Sequence, residues 1–194
     1  MFEKSALINA IASTNRGLIA TETQKQSILA AIASLEDLNP TPRPLEARDR
    51  LNGDWRLLYT TSRGLLNLDR FPFLQLGQIY QCIRVNNNSV YNIAEIYGLP
   101  YLEGLVSVSA KFEPLSIRRV QVKFERSIIA LTRVVGYKTP TEFIQQIESG
   151  KKFMAFDFAI KSNNQQGWLD ITYIDDDLRI GRGNEGSVFV LTKI

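Results

Sequence analysis

The sequence contains no histidine and a single cysteine, Cys82. Without histidine, Ser-His-Asp and Cys-His nucleophile systems, HExxH zinc sites and histidine-based facial triads are all excluded. A lone cysteine rules out an intrachain disulfide, so the simplest setting is a reducing compartment or a cytosolic face. Cys82 itself reads as a small buried apolar residue. No apolar run approaches the roughly 20 residues that a bilayer-spanning helix needs. Charge of one sign is also scarce, since 23 Lys and Arg stand against 20 Asp and Glu and the basic residues are scattered. A nucleic-acid partner is therefore not expected, while a mild attraction to anionic headgroups, about 1 kcal/mol per nearby Lys or Arg, stays open. The start, Met1-Phe2-Glu3-Lys4-Ser5, is helix-like and has neither a secretory apolar core nor an Arg/Ser-rich transit composition.

What is present is an ordinary globular composition, 194 residues with 44% hydrophobic, enough for a core of its own. Phe2, Leu7, Ile8 and Ile11, then Ile28, Leu29, Ile32, Leu35 and Leu38, recur at near-helical spacing. Thr21 and Gln24 form a capping box at the start of the second segment. Two short amphipathic helices follow, packing on the rest of the protein or facing a membrane or partner. Asn39-Pro40-Thr41-Pro42-Arg43-Pro44 ends the second helix, and 44–51 reads as one or two further turns.

From Gly53 onward the pattern changes to period two. Trp55, Leu57 and Tyr59 share one face of the first strand. Residues 62–76 are apolar but do not alternate, which fits a lid over an opening, a membrane-touching surface or a packed loop. Strands are predicted over about 77–85, 89–97, 103–113 and 117–126, separated by turns at Asn86-Asn87-Asn88, Gly98-Leu99-Pro100 and Pro114. Residues 127–135 extend the last of these or form an edge. Thr139-Pro140-Thr141-Glu142 caps a short helix that Gly150 stops. Met154, Phe156, Phe158 and Ile160 alternate in another strand before a turn at Asn163-Asn164. The chain then closes with three strand-like runs, 168–174, 178–182 and 187–192, around an acidic turn and a glycine-rich turn. Their edges need partners, and the Gly53–Thr61 run is the nearest candidate, so last strands close on first.

Two motifs are decoys. Gly181-Arg182-Gly183-Asn184-Glu185-Gly186 satisfies GxGxxG, but a strand follows where the dinucleotide motif needs a helix, so it reads as a hairpin turn. Asp175-Asp176-Asp177 fails the EF-hand spacing, with Arg179 and Ile180 at the fifth and sixth positions. It reads as a solvated turn with Arg179 or Arg182 salt-bridged to an aspartate, and no metal is expected. No spacing singles out a carboxylate pair, although lysine- or carboxylate-assisted nucleophiles stay formally open.

The run Asp170-Ile171-Thr172-Tyr173-Ile174-Asp175-Asp176-Asp177-Leu178-Arg179-Ile180-Gly181-Arg182-Gly183, followed by Ser187-Val188-Phe189-Val190-Leu191, closely resembles the C-terminal signature of the plastid lipid-associated protein (fibrillin) family. Gly53-Asp54-Trp55-Arg56-Leu57-Leu58-Tyr59 resembles that family's opening strand and Gly77-Gln78-Ile79-Tyr80-Gln81 its second. Gly53-x-Trp55 also resembles the lipocalin opening, in which the indole plugs one end of a barrel and a late-strand arginine packs across it; Arg179 and Arg182 are the candidates. The resemblance implies a mainly β, lipocalin-like antiparallel barrel of eight or nine strands, with an N-terminal helical extension (1–50), a barrel domain (51–194) and one short helix in the C-terminal third. It further implies noncatalytic binding of a prenylquinone, carotenoid or fatty acid, without a cofactor, at thylakoid membranes or lipid droplets. A plant precursor would carry a transit peptide, so a cyanobacterial or processed protein is expected, on the cytoplasmic face of the thylakoid or in the cytoplasm, or in plastid stroma and plastoglobules if from a plant.

Trp55, Tyr59, Tyr80, Phe112, Phe124, Phe156 and Phe158 are the candidate ligand-lining residues. Gly53, Asp175, Asp177, Arg179, Gly181, Arg182 and Gly183 are candidate structural residues. The rival reading is a filled barrel that coats lipid particles, touches membrane peripherally or supports an isoprenoid-pathway enzyme.

Overall fold

The last strand of the chain lies beside the first. In the computed structural model, which describes residues 2–62, 64, 74–98, 101–160 and 166–194, β1 (Gly53–Thr60) pairs antiparallel with β9 (Val188–Lys193), Trp55 opposite Lys193 and Leu57 opposite Leu191. The other strands are β2 (Gln75–Arg84), β3 (Ser89–Tyr97), β4 (Gly104–Pro114), β5 (Arg119–Leu131), β6 (Phe156–Ala159), β7 (Gln166–Ile174) and β8 (Leu178–Gly183). They follow the order β4-β3-β2-β1-β9-β8-β7-β5, and pairing of β4 with β5 closes the ring. Eight strands make a barrel just wide enough for side chains or one small ligand, and closure leaves no open edge in the ring. β6 is a ninth strand outside it. β5 is long enough to fork, pairing with β7 over Arg119–Lys123 and with β6 over Arg126–Ile129.

The described residues also form the helices α1 (Phe2–Ala12), α2 (Glu22–Glu36), α3 (Arg48–Leu51), α4 (Thr132–Val135) and α5 (Pro140–Glu148). The capping box of α2 is formed on both sides, Gln24 N–H donating to Thr21 Oγ1 at 3.2 Å and Thr21 N–H to Gln24 Oε1 at 2.9 Å. Thr139 likewise accepts from Glu142 N–H ahead of Pro140. The apolar stripes of α1 and α2 pack on the outside of the barrel: Leu7, Ile11, Ile28, Ile32 and Leu35 are buried against Tyr59, Tyr173, Ile180 and Val190. Phe2 and Leu38, at the ends of these stripes, stay exposed. α5 covers a second outer face, placing Phe143, Ile144 and Ile147 on Cys82, Tyr91 and Ile93.

Several expectations change. Tyr59 does not share a face with Trp55 and Leu57, because the pairing of β1 with β9 shifts register between Leu57 and Tyr59. One extra residue reverses the alternation, so Tyr59 faces the helices. β7 does the same between Ile171 and Tyr173. Phe156 and Phe158 alternate as read, but β6 lies outside the ring and no layer among the described residues covers it, leaving them 77% and 51% exposed. Arg179 and Arg182 do not pair with the acidic turn. Lys4 binds Asp175 at 2.8 Å and also Asp177, Arg50 binds Asp176 at 3.1 Å, and Arg182 makes a two-pronged pair with Glu36 of α2 at 2.7 and 2.8 Å. The turn thus ties both N-terminal segments to the barrel. The GxGxxG run is a hairpin connection between β8 and β9, with Gly186 at φ +70°. Most of the 62–76 segment and the Asn163-Asn164 turn lie outside the described residues.

Candidate functional site

One end of the barrel is plugged. Trp55 is fully buried, its indole N–H donates to the Leu51 carbonyl at 3.1 Å, and the Arg179 guanidinium lies 5.0 Å from its ring centre. Lys193 approaches the same ring at 5.3 Å and donates to the Arg50 carbonyl at 2.9 Å, holding the last turn of α3 under the barrel. Gly53 begins β1 at φ +128°, a backbone conformation that suits glycine, and an added Cβ would come within 3.0 Å of the Lys193 side chain. Of the two candidates, Arg179 is the arginine that crosses the tryptophan.

Above this plug the barrel is hollow. A cavity of about 640 Å³ has walls that include Leu57, Ile83, Val120, Val122, Phe124 and Leu169, with Leu45 and Leu51 at the α3 end. The opposite end involves Ser62, Ile160, Asn184 and Ser187. The volume sits within the roughly 300–1,000 Å³ typical of small-molecule sites, and the apolar lining with few polar groups matches their usual character.

β8 explains why the space stays open. Leu178 and Ile180 point outward into the layer under α1 and α2, and Arg182 reaches Glu36 there. In the alternate phase come Arg179, Gly181 and Gly183. The two glycines leave room for Leu169, whose Cδ1 would stand 3.2 Å and 3.6 Å from a Cβ added at 181 and 183.

A polar strip crosses the apolar wall. Arg179 donates to Gln81 Oε1 at 2.6 Å, and Gln81 donates onward to Asn92 Oδ1 at 3.0 Å; all three line the cavity. Arg179 is 1% exposed and forms no salt bridge among the described residues, and its buried Nε–H has no partner there. Burial pulls its pKa down, to about 9, so it remains a cation at neutral pH. Burial also pushes the nearby Cys82 thiol far up, leaving it neutral rather than a counter-ion or nucleophile. No cluster of carboxylates, cysteine or histidine suited to a metal occurs among the described residues.

Of the aromatic residues proposed from sequence, Phe112 and Phe124 line the wall, while Tyr80 borders the cavity and packs toward the α5 side. Trp55 lies in the plug; Tyr59, Phe156 and Phe158 are elsewhere. Gln81 and Asn92 escaped the sequence reading. The available signal was phase: Gln81 alternates with Ile79 and Ile83, and Asn92 with Val90 and Ala94, polar side chains in an apolar register.

Comparison with known proteins places the chain in a family. The PAP_fibrillin family profile matches residues 1–192. The chain is 36% identical to the light-induced protein, chloroplastic, of Solanum demissum over 217 aligned residues, covering 98% of this chain and 66% of that protein. It is 36% identical to the plastid-lipid-associated protein, chloroplastic, of Citrus unshiu, covering 98% of this chain and 67% of that one. Against the chromoplast-specific carotenoid-associated protein of Cucumis sativus it is 35% identical, with 98% and 67% covered. The chain thus spans about two thirds of these relatives' length, and their names describe association with lipid, carotenoid or light induction, in plastids, rather than an enzyme activity. Whole-length agreement with the family profile, together with these relatives, shows that the chain belongs to the plastid lipid-associated protein (PAP/fibrillin) family.

Proposed function

We propose that this protein binds or carries a hydrophobic small molecule, a prenylquinone, carotenoid or fatty acid, noncatalytically inside the barrel. The supporting observation is the cavity of about 640 Å³ with its apolar walls. Moving a ligand's apolar surface from water to such walls contributes about 25 cal/mol per Å², less the cost of ordering the ligand. The names of the relatives support association with lipid or carotenoid in plastids, and the setting proposed within that is photosynthetic membranes or lipid droplets: the cytoplasmic face of the thylakoid in a cyanobacterium, plastid stroma or plastoglobules in a plant. The absence of histidine from the sequence and the neutral buried thiol of Cys82 favour a noncatalytic role.

The test is native mass spectrometry and solvent extraction of purified protein. A lipid recovered near one per protein is expected. No copurifying lipid, together with no quenching of tryptophan fluorescence by added quinones, overturns the reading.

A second reading, coating of lipid particles or support of an isoprenoid-pathway enzyme, draws on apolar side chains left on the outside. Phe156, Phe158, Ile129 and Leu131 are exposed on β5 and β6, and Tyr101 and Leu102 on the approach to β4. Retention of vesicle binding after the cavity has been filled by substitution would favour this surface role.

A further inference from the structure

The polar strip sets one charged side chain into the apolar wall. Arg179 is a cation in an apolar chamber. Its guanidinium carries five N–H donors in a fixed fork. One bond goes to Gln81, an amide without charge, and the buried Nε–H has no partner among the described residues. Trp55 offers only its ring face. An unneutralised buried charge is costly, and the anions whose geometry matches a guanidinium fork are carboxylate and phosphate; of these the singly charged carboxylate balances one arginine without bringing excess charge into an apolar chamber.

Size adds a second constraint. A cavity of about 640 Å³ is of the size that encloses one small ligand. A single acyl chain fits that space.

We propose that the cavity takes a single-chain amphiphile with a carboxylate head, the carboxylate bound by Arg179 beside Gln81 and the chain lying along Val120, Val122, Phe124 and Leu169. The inference rests on the carrier reading and adds to it a head-group specificity, with Arg179 as the residue that sets it.

The test is fluorescence titration at pH 7 with cis-parinaric acid, a fluorescent polyene fatty acid, and with its methyl ester, which has the same chain and no charge. The unsubstituted protein should bind the acid about tenfold or more tightly than the ester, as expected for a charge-assisted hydrogen bond in a dry site. Arg179→Gln should abolish the difference, and Arg179→Lys, which keeps the charge without the fork, should retain part of it. Equal binding of acid and ester, or tighter binding of the ester, overturns the head-group inference while leaving the carrier reading standing. A preference for the acid that persists in a folded Arg179→Gln protein overturns the role of Arg179. Binding of neither probe overturns both. The acid-to-ester comparison needs no variant, so the carboxylate preference is decided even if both substitutions prevent folding.

Discussion

The outside of this barrel is packed like a protein core, and the inside only in part. Beneath α5, Phe143 is fully buried, 5.6 Å edge-on to Tyr137 and 5.0 Å from Phe153. Beneath α1 and α2, Leu7, Ile28 and Ile32 are fully buried. Inside the ring, Val122, Phe124, Leu169 and Phe189 are only partly buried and face open volume. The contrast teaches where stability and ligand capacity reside. Much of the packing lies in what wraps the ring, and part of the interior is open volume that the proposed ligand would fill.

Substitutions on the two sides should therefore behave differently. Phe143→Ala, on the packed side, should cost about 3–5 kcal/mol in urea unfolding, through lost transfer energy and the cavity left behind. Val122→Ala should cost at most about 1 kcal/mol, because a wall facing empty space has few packed neighbours to lose. Similar losses at the two sites would remove the distinction.

Filling the hollow is the converse experiment. Val122→Trp should leave stability within about 1 kcal/mol, since the added volume meets space rather than packed atoms. It should weaken probe binding at least tenfold, about 1.4 kcal/mol. Unchanged binding by titration would place the ligand elsewhere.

Acid should loosen the wrapping more than the ring. Burial works to raise the pKa of Asp175, but hydrogen bonds from Lys4, Tyr173 and the backbone N–H groups of Leu178 and Asp177 outweigh it and hold the carboxyl well below the usual range. A carboxyl depressed in the folded state binds fewer protons folded than unfolded. Its stabilisation is present above its unfolded pKa, about 4, and is lost as pH falls below that. Asp175→Asn should cost about 1 kcal/mol at pH 7, discounted for solvent screening, and progressively less toward pH 2. A constant difference across that range, followed by chemical unfolding, would contradict the assignment.

The smallest effect is expected at the α2 fastening. Arg182 and Glu36 are partly exposed, so Arg182→Ala should cost about 0.5–1 kcal/mol. Hydrogen exchange should show the change in α2 and leave the interior strands protected as before.

Local signals in the sequence were readable where the responsible atoms are close in the chain. The Thr21–Gln24 box, the Thr139 cap and the hairpin at 183–188 each involve residues a few positions apart, so their chemistry and spacing suffice. The meeting of the first and last strands was also readable, because Gly53-x-Trp55 and the terminal signature each need a partner and each supplies one. What was not readable depends on register and long-range choice. Nothing in Trp55-Arg56-Leu57-Leu58-Tyr59 announces that the pairing skips a residue and turns Tyr59 to the helices. Period-two alternation at Phe156 and Phe158 defines a shared face without saying whether another layer covers it. The partner of Arg182 is Glu36, 146 positions away, and a much nearer aspartate turn offered the more obvious match. Of the cavity, the aromatic wall at Phe112 and Phe124 could be foreseen, while the strip through Gln81 and Asn92 depends on which strands lie side by side.

The two-sided character of β8 also guards against misalignment. If that strand slid by one position, Arg182 would turn into the greasy hollow, Glu36 would lose its mate, and Leu178 and Ile180 would be pulled from beneath the helices. A slide of two would preserve the sidedness yet set a glycine where Arg179 now covers Trp55. Each error thus carries its own penalty, and the arginine–glycine spacing works as a key that admits one alignment of the closing strands.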